Sequence, residues 1–368
     1  MLLSQTMSNN SNNLANSVRT RFGQSGRIED LEEAITYHRK ALALRPHGHP
    51  DRSDCLNILA NSVSTRFGQS GRMGDLEEAV KYSSEAKAIL PIDHPKHAIT
   101  RSFLSSMLLK LCDNLPQSDK TLHMTSQAFE LFEHAASHPF ASAKARFQAA
   151  VRWAREAHRR KHQSTVRAYA KSLSLLDRCL ILAPTVELQQ NFLAATNTVP
   201  KTLALDAASS AIDAGEIGSA VELLEQGRAV LWAKLRGYRH PLDELRAIDK
   251  ELLTEFEALS RQLERLAMSS ESQSTTFPGS NQAKPFISVS FDAKMQHHRI
   301  LSEKWDNAVG KIRQIDGFAD FLQAIPFATL QTAAAEGPVI IVNISRYRSD
   351  AIIIRDIGDP VLIPCIEP

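Results

Sequence analysis

The stretch that most constrains this chain is one that occurs twice. Residues 14–50 read LANSVRTRFGQSGRIEDLEEAITYHRKALALRPHGHP, and residues 59–95 read LANSVSTRFGQSGRMGDLEEAVKYSSEAKAILPIDHP. The offset is 45 residues throughout, from Leu14 and Leu59 to Pro46 and Pro91. A fixed period of roughly 20–50 residues marks a stacked architecture, in which each unit buries its apolar face against its neighbours.

Each copy reads as two helices. Leu56, Leu59, Ala60, Val63 and Phe67 fall at helical spacing and form the face of the first. Gly68 is the expected stop. The loop Gly-Gln-Ser-Gly-Arg follows, and Gly26 and Gly71 within it fit a turn and no phosphate-loop spacing. The second helix is expected to open at Asp30 or Asp75 as a capping box with Glu33 or Glu78. Leu31, Ala34, Ile35, His38, Ala41 and Leu42 form its buried stripe, and Pro46 and Pro91 end it.

Ala34, Ala41 and Pro46, repeated as Ala79, Ala86 and Pro91, resemble the second-helix pattern of the tetratricopeptide repeat, and Leu14-Ala15 and Leu59-Ala60 resemble the start of its first helix. The usual period of that family is about 34 residues. The extra residues here fall at loops, where lengthening costs little. The resemblance implies a superhelix of helix pairs whose first helices line a concave groove. Asn16 and Asn61 hold equivalent first-helix positions suited to hydrogen-bonding an extended peptide, and Arg21 and Arg66 recur beside them.

Composition narrows the classes. A chain of 368 residues predicts two or three domains, and 43% hydrophobic with 23% charged residues is ordinary for a globular protein. A net charge of +2 implies neither nucleic acid nor membrane. The N-terminus lacks the basic and apolar regions of a signal peptide. Cys55, Cys112, Cys179 and Cys365 are widely spaced and read as free thiols in a reducing compartment, so a cytoplasmic location is expected.

The expected division is a disordered 1–13, tetratricopeptide-like repeats over 14–236, a long helix over 237–268, a linker over 269–285 and a final α/β segment over 286–368. Residues 96–139 read as a degenerate third unit with Phe103, Leu104, Met107, Leu108 and Leu111 on its first helix. Further helices are expected at 147–153, 168–182, 203–214, 219–235 and 292–314. Leu245, Leu252, Leu259 and Leu266 recur every seven residues, a coiled-coil-like seam within one helix from Asp243 to Met268. Strands are expected at 339–344, 351–354 and 361–363. Runs apolar at every position predict strands covered on both faces. The same runs, left uncovered, predict a weakly stable segment prone to self-association.

The stretches LLEQGRAVLW at 223–232, PLDELR at 241–246, FATL at 327–330 and EGPVIIVNISRY at 336–347 resemble the start of a CHAT domain, a caspase-like cysteine protease domain associated with tetratricopeptide repeats. The resemblance implies a chain that is mostly α, with the beginning of a caspase-like segment after the repeats. In that family the nucleophilic Cys and its His follow later strands. No residue of this chain maps onto them, so the resemblance implies no protease activity for the chain by itself. Cys365 with His297 or His298 stands in the wrong order for the family's dyad.

Other candidate chemistry is thin. His47, His49 and Asp51, or His94 and His97, make no four-ligand set, so no metal or other cofactor is expected. The basic run from Arg152 to Arg167 reads as a solvated helix face in preference to a nucleic-acid footprint. The function expected is a protein-interaction scaffold, its partner a protein or peptide in the concave groove, with no membrane, nucleic acid or small-molecule ligand. The competing classes are a cysteine endopeptidase, in a chain carrying the family's Cys and His, and a helical nucleic-acid binder.

Overall fold

The structure, a computed structural model, describes residues 14, 17–18, 20–49, 51–181, 202–235, 241–272 and 291–365. It is mostly helical, with one small antiparallel sheet near the C-terminus. The expectations for 1–13, and for the linker beyond Ser272, lie outside the described residues. Two compact units divide the chain. One comprises Met1–Ala141 and Ala267–Ile287, the other Ser142–Leu266 and Ser288–Pro368.

In the first unit, helical residues 20–25 lead into α1 (Ile28–Ala43), followed by α2 (Arg52–Ser70), α3 (Met73–Ile89), α4 (His97–Asp113) and α5 (Asp119–Ser137). Each packs on the next along the chain from α1 to α5. Ala34, Ala41, Ala79 and Ala86 are fully buried. Their small side chains let helices approach closely, and Ala60, Ala79 and Met107 meet in one cluster of α2, α3 and α4. Leu31 and Ile35 of α1 meet Leu59 and Val63 of α2 in another.

The helix ends differ from the sequence expectation in two ways. The first helix of each copy runs through Gly23 or Gly68 and stops three residues later. There Gly26 and Gly71 take the same left-handed φ of 68°, each donating its N–H to Phe22 or Phe67 at 2.8 Å. Gly68 is an ordinary helical residue; the true stop is the glycine that opens the tight turn. The capping boxes are absent as well. α1 and α3 begin at Ile28 and Met73, two residues before the aspartates, with no side-chain hydrogen bond at Arg27 or Arg72. Asp30 and Asp75 sit inside the first turn, where an acid favours the helix dipole and is free to pair elsewhere. Side-chain caps do appear at Ser118, which exchanges bonds with Thr121, and at Ser142, which accepts from Ala145.

The second unit contains α6 (Ala143–Arg159), α7 (Thr165–Ile181), α8 (Leu203–Asp213), α9 (Ile217–Leu235), α10 (Pro241–Ile248), α11 (Lys250–Ser272) as far as Leu266, α12 (Phe291–Arg313) and α13 (Phe327–Gln331). α6 pairs with α7 and α8 with α9. The α8–α9 approach is close enough that a Cβ on Gly227 would lie 2.0 Å from that of Ala204. The single helix expected from Asp243 to Met268 is two, broken at Asp249, whose carboxylate accepts from the N–H of Leu252 at 2.8 Å. That cap starts α11 afresh and leaves Ile248 exposed. The heptad seam finds its partner within the chain. Leu252, Phe256, Leu259 and Leu263 pack against Leu301, Ala308, Val309 and Ile312 of α12, with Phe318 and Phe321 beyond.

The sheet has order β1-β2-β3, with β1 (Val339–Ile344), β2 (Ser349–Ile354) and β3 (Val361–Pro364) all antiparallel. The expectation of strands covered on both faces is overturned. Burial alternates along β1 and β2. Ile341, Asn343, Asp350, Ile352 and Ile354 are buried, whereas Ile340, Val342, Ile344, Val361 and Ile363 are exposed. Cross-strand partners such as Val342, Ala351 and Ile363 share the uncovered face. Antiparallel hairpins need no helical crossover, so nothing in the connections supplies a second cover.

Candidate functional site

Two assemblies of side chains bear on function, one in each unit. In the first, the recurring Arg, Ser and Asp of the duplicated stretch build the same cluster twice. Arg21 Nε donates to Asp30 at 2.9 Å and Ser25 Oγ donates to the same carboxylate at 2.8 Å. Forty-five residues on, Arg66 and Ser70 make the equivalent bonds to Asp75, at 2.7 and 3.2 Å. Arg66 also donates to Glu32 of the preceding copy at 3.0 Å. Of the candidate groove residues, Arg21 and Arg66 are thus held by acids of their own units, and Arg66 is buried. Asn16 lies outside the described residues, and Asn61 is half-buried.

Asn61 is not alone on its helix. The half-buried positions of α2 include Asp54, Ile58, Asn61 and Thr65, one line at helical spacing, with buried residues between them. On α4 the matching positions, each 45 residues on, are Ile99, Phe103, Ser106 and Lys110, half-buried or exposed. The two helices touch, and their stripes are tied by Lys110 donating to Ser64 at 3.1 Å and Lys96 to Asp54 at 2.7 Å. The result is a line of apolar and hydrogen-bonding groups along two adjacent first helices. Sequence reasoning found Asn61 by repetition but did not assign Ile58, Phe103 or Lys110 to the groove, because Ile58 and Phe103 share one repeat position, and Thr65 and Lys110 another, without sharing a residue type.

The histidines belong to turns. His49 and His94 accept at Nδ1 from the backbone N–H of Asp51 and Lys96, each at 3.1 Å, so the His-Pro dipeptides close the same loop twice. His97 and His138 stack with ring centroids 6.1 Å apart, their Nε2 atoms near the carbonyls of Leu90 and Ile92. Burial holds His94 down to about 4. Among the described residues no group of three His, Cys, Asp or Glu side chains is placed to hold a metal.

In the second unit, a polar seam fastens the β1–β2 hairpin to α8. Asn343 donates to Ser209 Oγ at 3.0 Å, and Ser209 donates to Ser345 at 2.9 Å. Arg346 reaches Asp206 at 3.2 Å, Arg348 pairs with Asp350 and Asp213, and Tyr347 stacks on His158 with centroids 3.6 Å apart. His158 Nδ1 is 3.1 Å from the Tyr169 hydroxyl. Burial raises Asp206 and lowers His158, which favours their neutral forms. Asp206 Oδ1 and Asn343 Oδ1 are buried with no hydrogen-bond partner among the described residues, but the bonds the seam makes hold the hairpin on α8, and the seam reads as a clasp. The basic run from Arg152 to Arg167 is likewise engaged. Arg159 and Arg160 pair with Glu156, Arg167 covers the Trp153 ring, and His162 bonds Ser164.

Cys365 and His298 are not brought into one site by any bond seen here. Cys365 is exposed after β3, its N–H bonded to Ser349, while His298 is buried in α12 with Nδ1 3.2 Å from Ser302 Oγ. Cys179 is buried, and burial pushes its thiol far up. No described helix is long and apolar enough to cross a membrane. No family model, curated protein or solved structure matches the chain.

Proposed function

We propose that the chain is a protein-interaction scaffold, in which tetratricopeptide-like helix pairs over 14–236 stack as a superhelix and hold an extended protein or peptide segment along their first helices. The observation that carries this reading is the accessible stripe of α2 and α4, repeated at the period of the sequence. Ile58 and Phe103 offer apolar contact, while Asn61, Thr65, Ser106 and Lys110 offer hydrogen bonds at helical spacing. An extended backbone needs that mixture, donors and acceptors for its peptide groups between pockets for alternate side chains. The LLEQGRAVLW and EGPVIIVNISRY stretches favour a regulatory role beside a CHAT-type protease domain. The exposed Cys365 and the commitment of His298 to Ser302 favour a chain with no peptidase activity of its own.

The test is selection of extended peptides from a displayed library, followed by calorimetry. Changing Asn16 and Asn61 together to Ala should weaken the selected peptides by about 1 kcal/mol for each hydrogen bond lost. Phe103→Ala should weaken them further, with melting of the free chain separating lost contact from lost fold. Equal affinities for parent and variants would remove the groove from the account. Peptide turnover by the purified chain, abolished by Cys365→Ala, would replace the scaffold reading with an enzyme.

A further inference from the structure

We infer that the uncovered face of the C-terminal sheet is a homodimer interface, packed against the same face of a second copy of this chain. The face is apolar across all three strands. Ile340, Val342 and Ile344 of β1 are 63, 55 and 66% exposed, and Val361 and Ile363 of β3 are 39 and 47% exposed. A monomer's largest apolar patch is commonly about 300–600 Å² and often functional, and these five side chains expose an area on the order of 400–500 Å². Two such faces in contact remove at most about 800–1,000 Å² from water, the size of a small, weak interface.

The chemistry selects a like partner. The open face carries no charge, since Asp350 points to the buried side and Ser349 supplies the polar atom opposite Ile344. A two-fold interface sets each residue near its own copy, which a charged face resists and a uniform apolar face accepts. Antiparallel sheets stack about 10 Å apart with their strands nearly aligned. The polar seam on the other side fixes the hairpin to α8, so the face is presented by a supported sheet. The inference is independent of the peptide groove, whose residues lie on α2 and α4.

The test is light scattering of the full chain on a sizing column, at concentrations up to about 0.1 mM, where a micromolar dimer is mostly formed. The parent should be dimeric. Val342→Lys should raise its dissociation constant at least about tenfold, because the ammonium would be buried without a partner. Val342→Ile should leave it unchanged. Val361→Lys, on the far strand of the same face, repeats the test should Val342→Lys disturb the fold. Asn61→Ala should dimerise as the parent does. A monomeric parent overturns the inference, as does a dimer that both lysine variants leave intact. The second outcome would point to edge-to-edge pairing of β1, which leaves the face in water.

Discussion

Copy one and copy two share most of their sequence yet hold their charges differently. The side chain of Arg21 is 56% exposed and that of Arg66 10%, although each grips the equivalent aspartate. The difference comes from position in the stack. Arg66 is flanked by Glu32 of the unit before it, 3.0 Å away, and by Glu78 on α3 of its own unit at 3.7 Å. Among the described residues Arg21 pairs with Asp30 and Glu33 of its own unit. A repeated residue therefore inherits its geometry from its own unit and its burial from its neighbour, which is the nearest-neighbour logic of stacked repeats.

The sharpest break of that comparison is Arg66→Met against Arg21→Met. Removing Arg66 strands Asp75, whose side chain is 7% exposed, and removing one partner of a buried pair costs about 3 kcal/mol at the lower end of the usual range. Arg21→Met strands Asp30, whose side chain is 8% exposed, but Arg21 itself is 56% exposed and water reaches the pair from its side, so the loss should be smaller. Thermal or urea unfolding of the two variants measures the gap. Equal losses would mean that the neighbouring copy adds nothing. Next in size is overpacking at the helix contacts. Ala41→Phe, at a fully buried position, should cost roughly 1–3 kcal/mol, and Gly227→Ala in the second unit should cost a similar amount against Ala204. An unchanged melting temperature for either would contradict the close approach. A smaller effect should be identical in both copies. Gly26→Ala and Gly71→Ala each force a side chain into a left-handed φ of 68° with open space around it, so each should cost about 1 kcal/mol from backbone strain alone. If the Gly71 variant proved much the worse, its cost would lie in contacts and the local reading of the turn would fail.

The same contrast decides what was legible in the sequence. Helix positions and buried stripes followed from spacing, because Leu31, Ala34, Ile35, His38 and Ala41 need only their own helix to fall on one face. The capping boxes failed because an Asp three residues before a Glu fits a cap and a first-turn ion pair equally well, and Arg21 lies nine residues from Asp30. The strands were placed, but their cover was misjudged. A run such as Val339–Val342 is apolar at every position whether one face is buried or two. The coiled-coil seam was visible, whereas its partner α12, beyond residues 273–290, was not. The accessible stripe was half visible: Asn61 repeats Asn16, but Ile58 and Phe103 share a position without sharing a residue type.

The last effect concerns acid, at the loop that follows α3. His94 closes the loop after α3 and is half-buried, with Lys96 beside it and His97, His138 and Asp54 near enough to act on its charge. Burial, then the positive charge of Lys96, lower it from an ordinary value near 6.5 to about 4. The sign follows from proton uptake. Between about pH 6.5 and 4 the unfolded chain binds a proton at His94 that the folded chain refuses, so acid favours unfolding across that window. His97, lowered chiefly by burial and stacked on His138, acts in the same direction. Stability of the first unit should therefore be fully present above pH 6.5 and decline toward pH 4. Replacing His94 by Gln, which keeps an acceptor for the Lys96 N–H but cannot titrate in this range, should flatten that decline. Hydrogen exchange of α3 and α4 amides at pH 7 and pH 5 reads the effect locally, and it keeps His298 of the second unit, also lowered to about 4, out of the measurement. An acid slope that His94→Gln leaves as steep as before would place the sensitivity elsewhere.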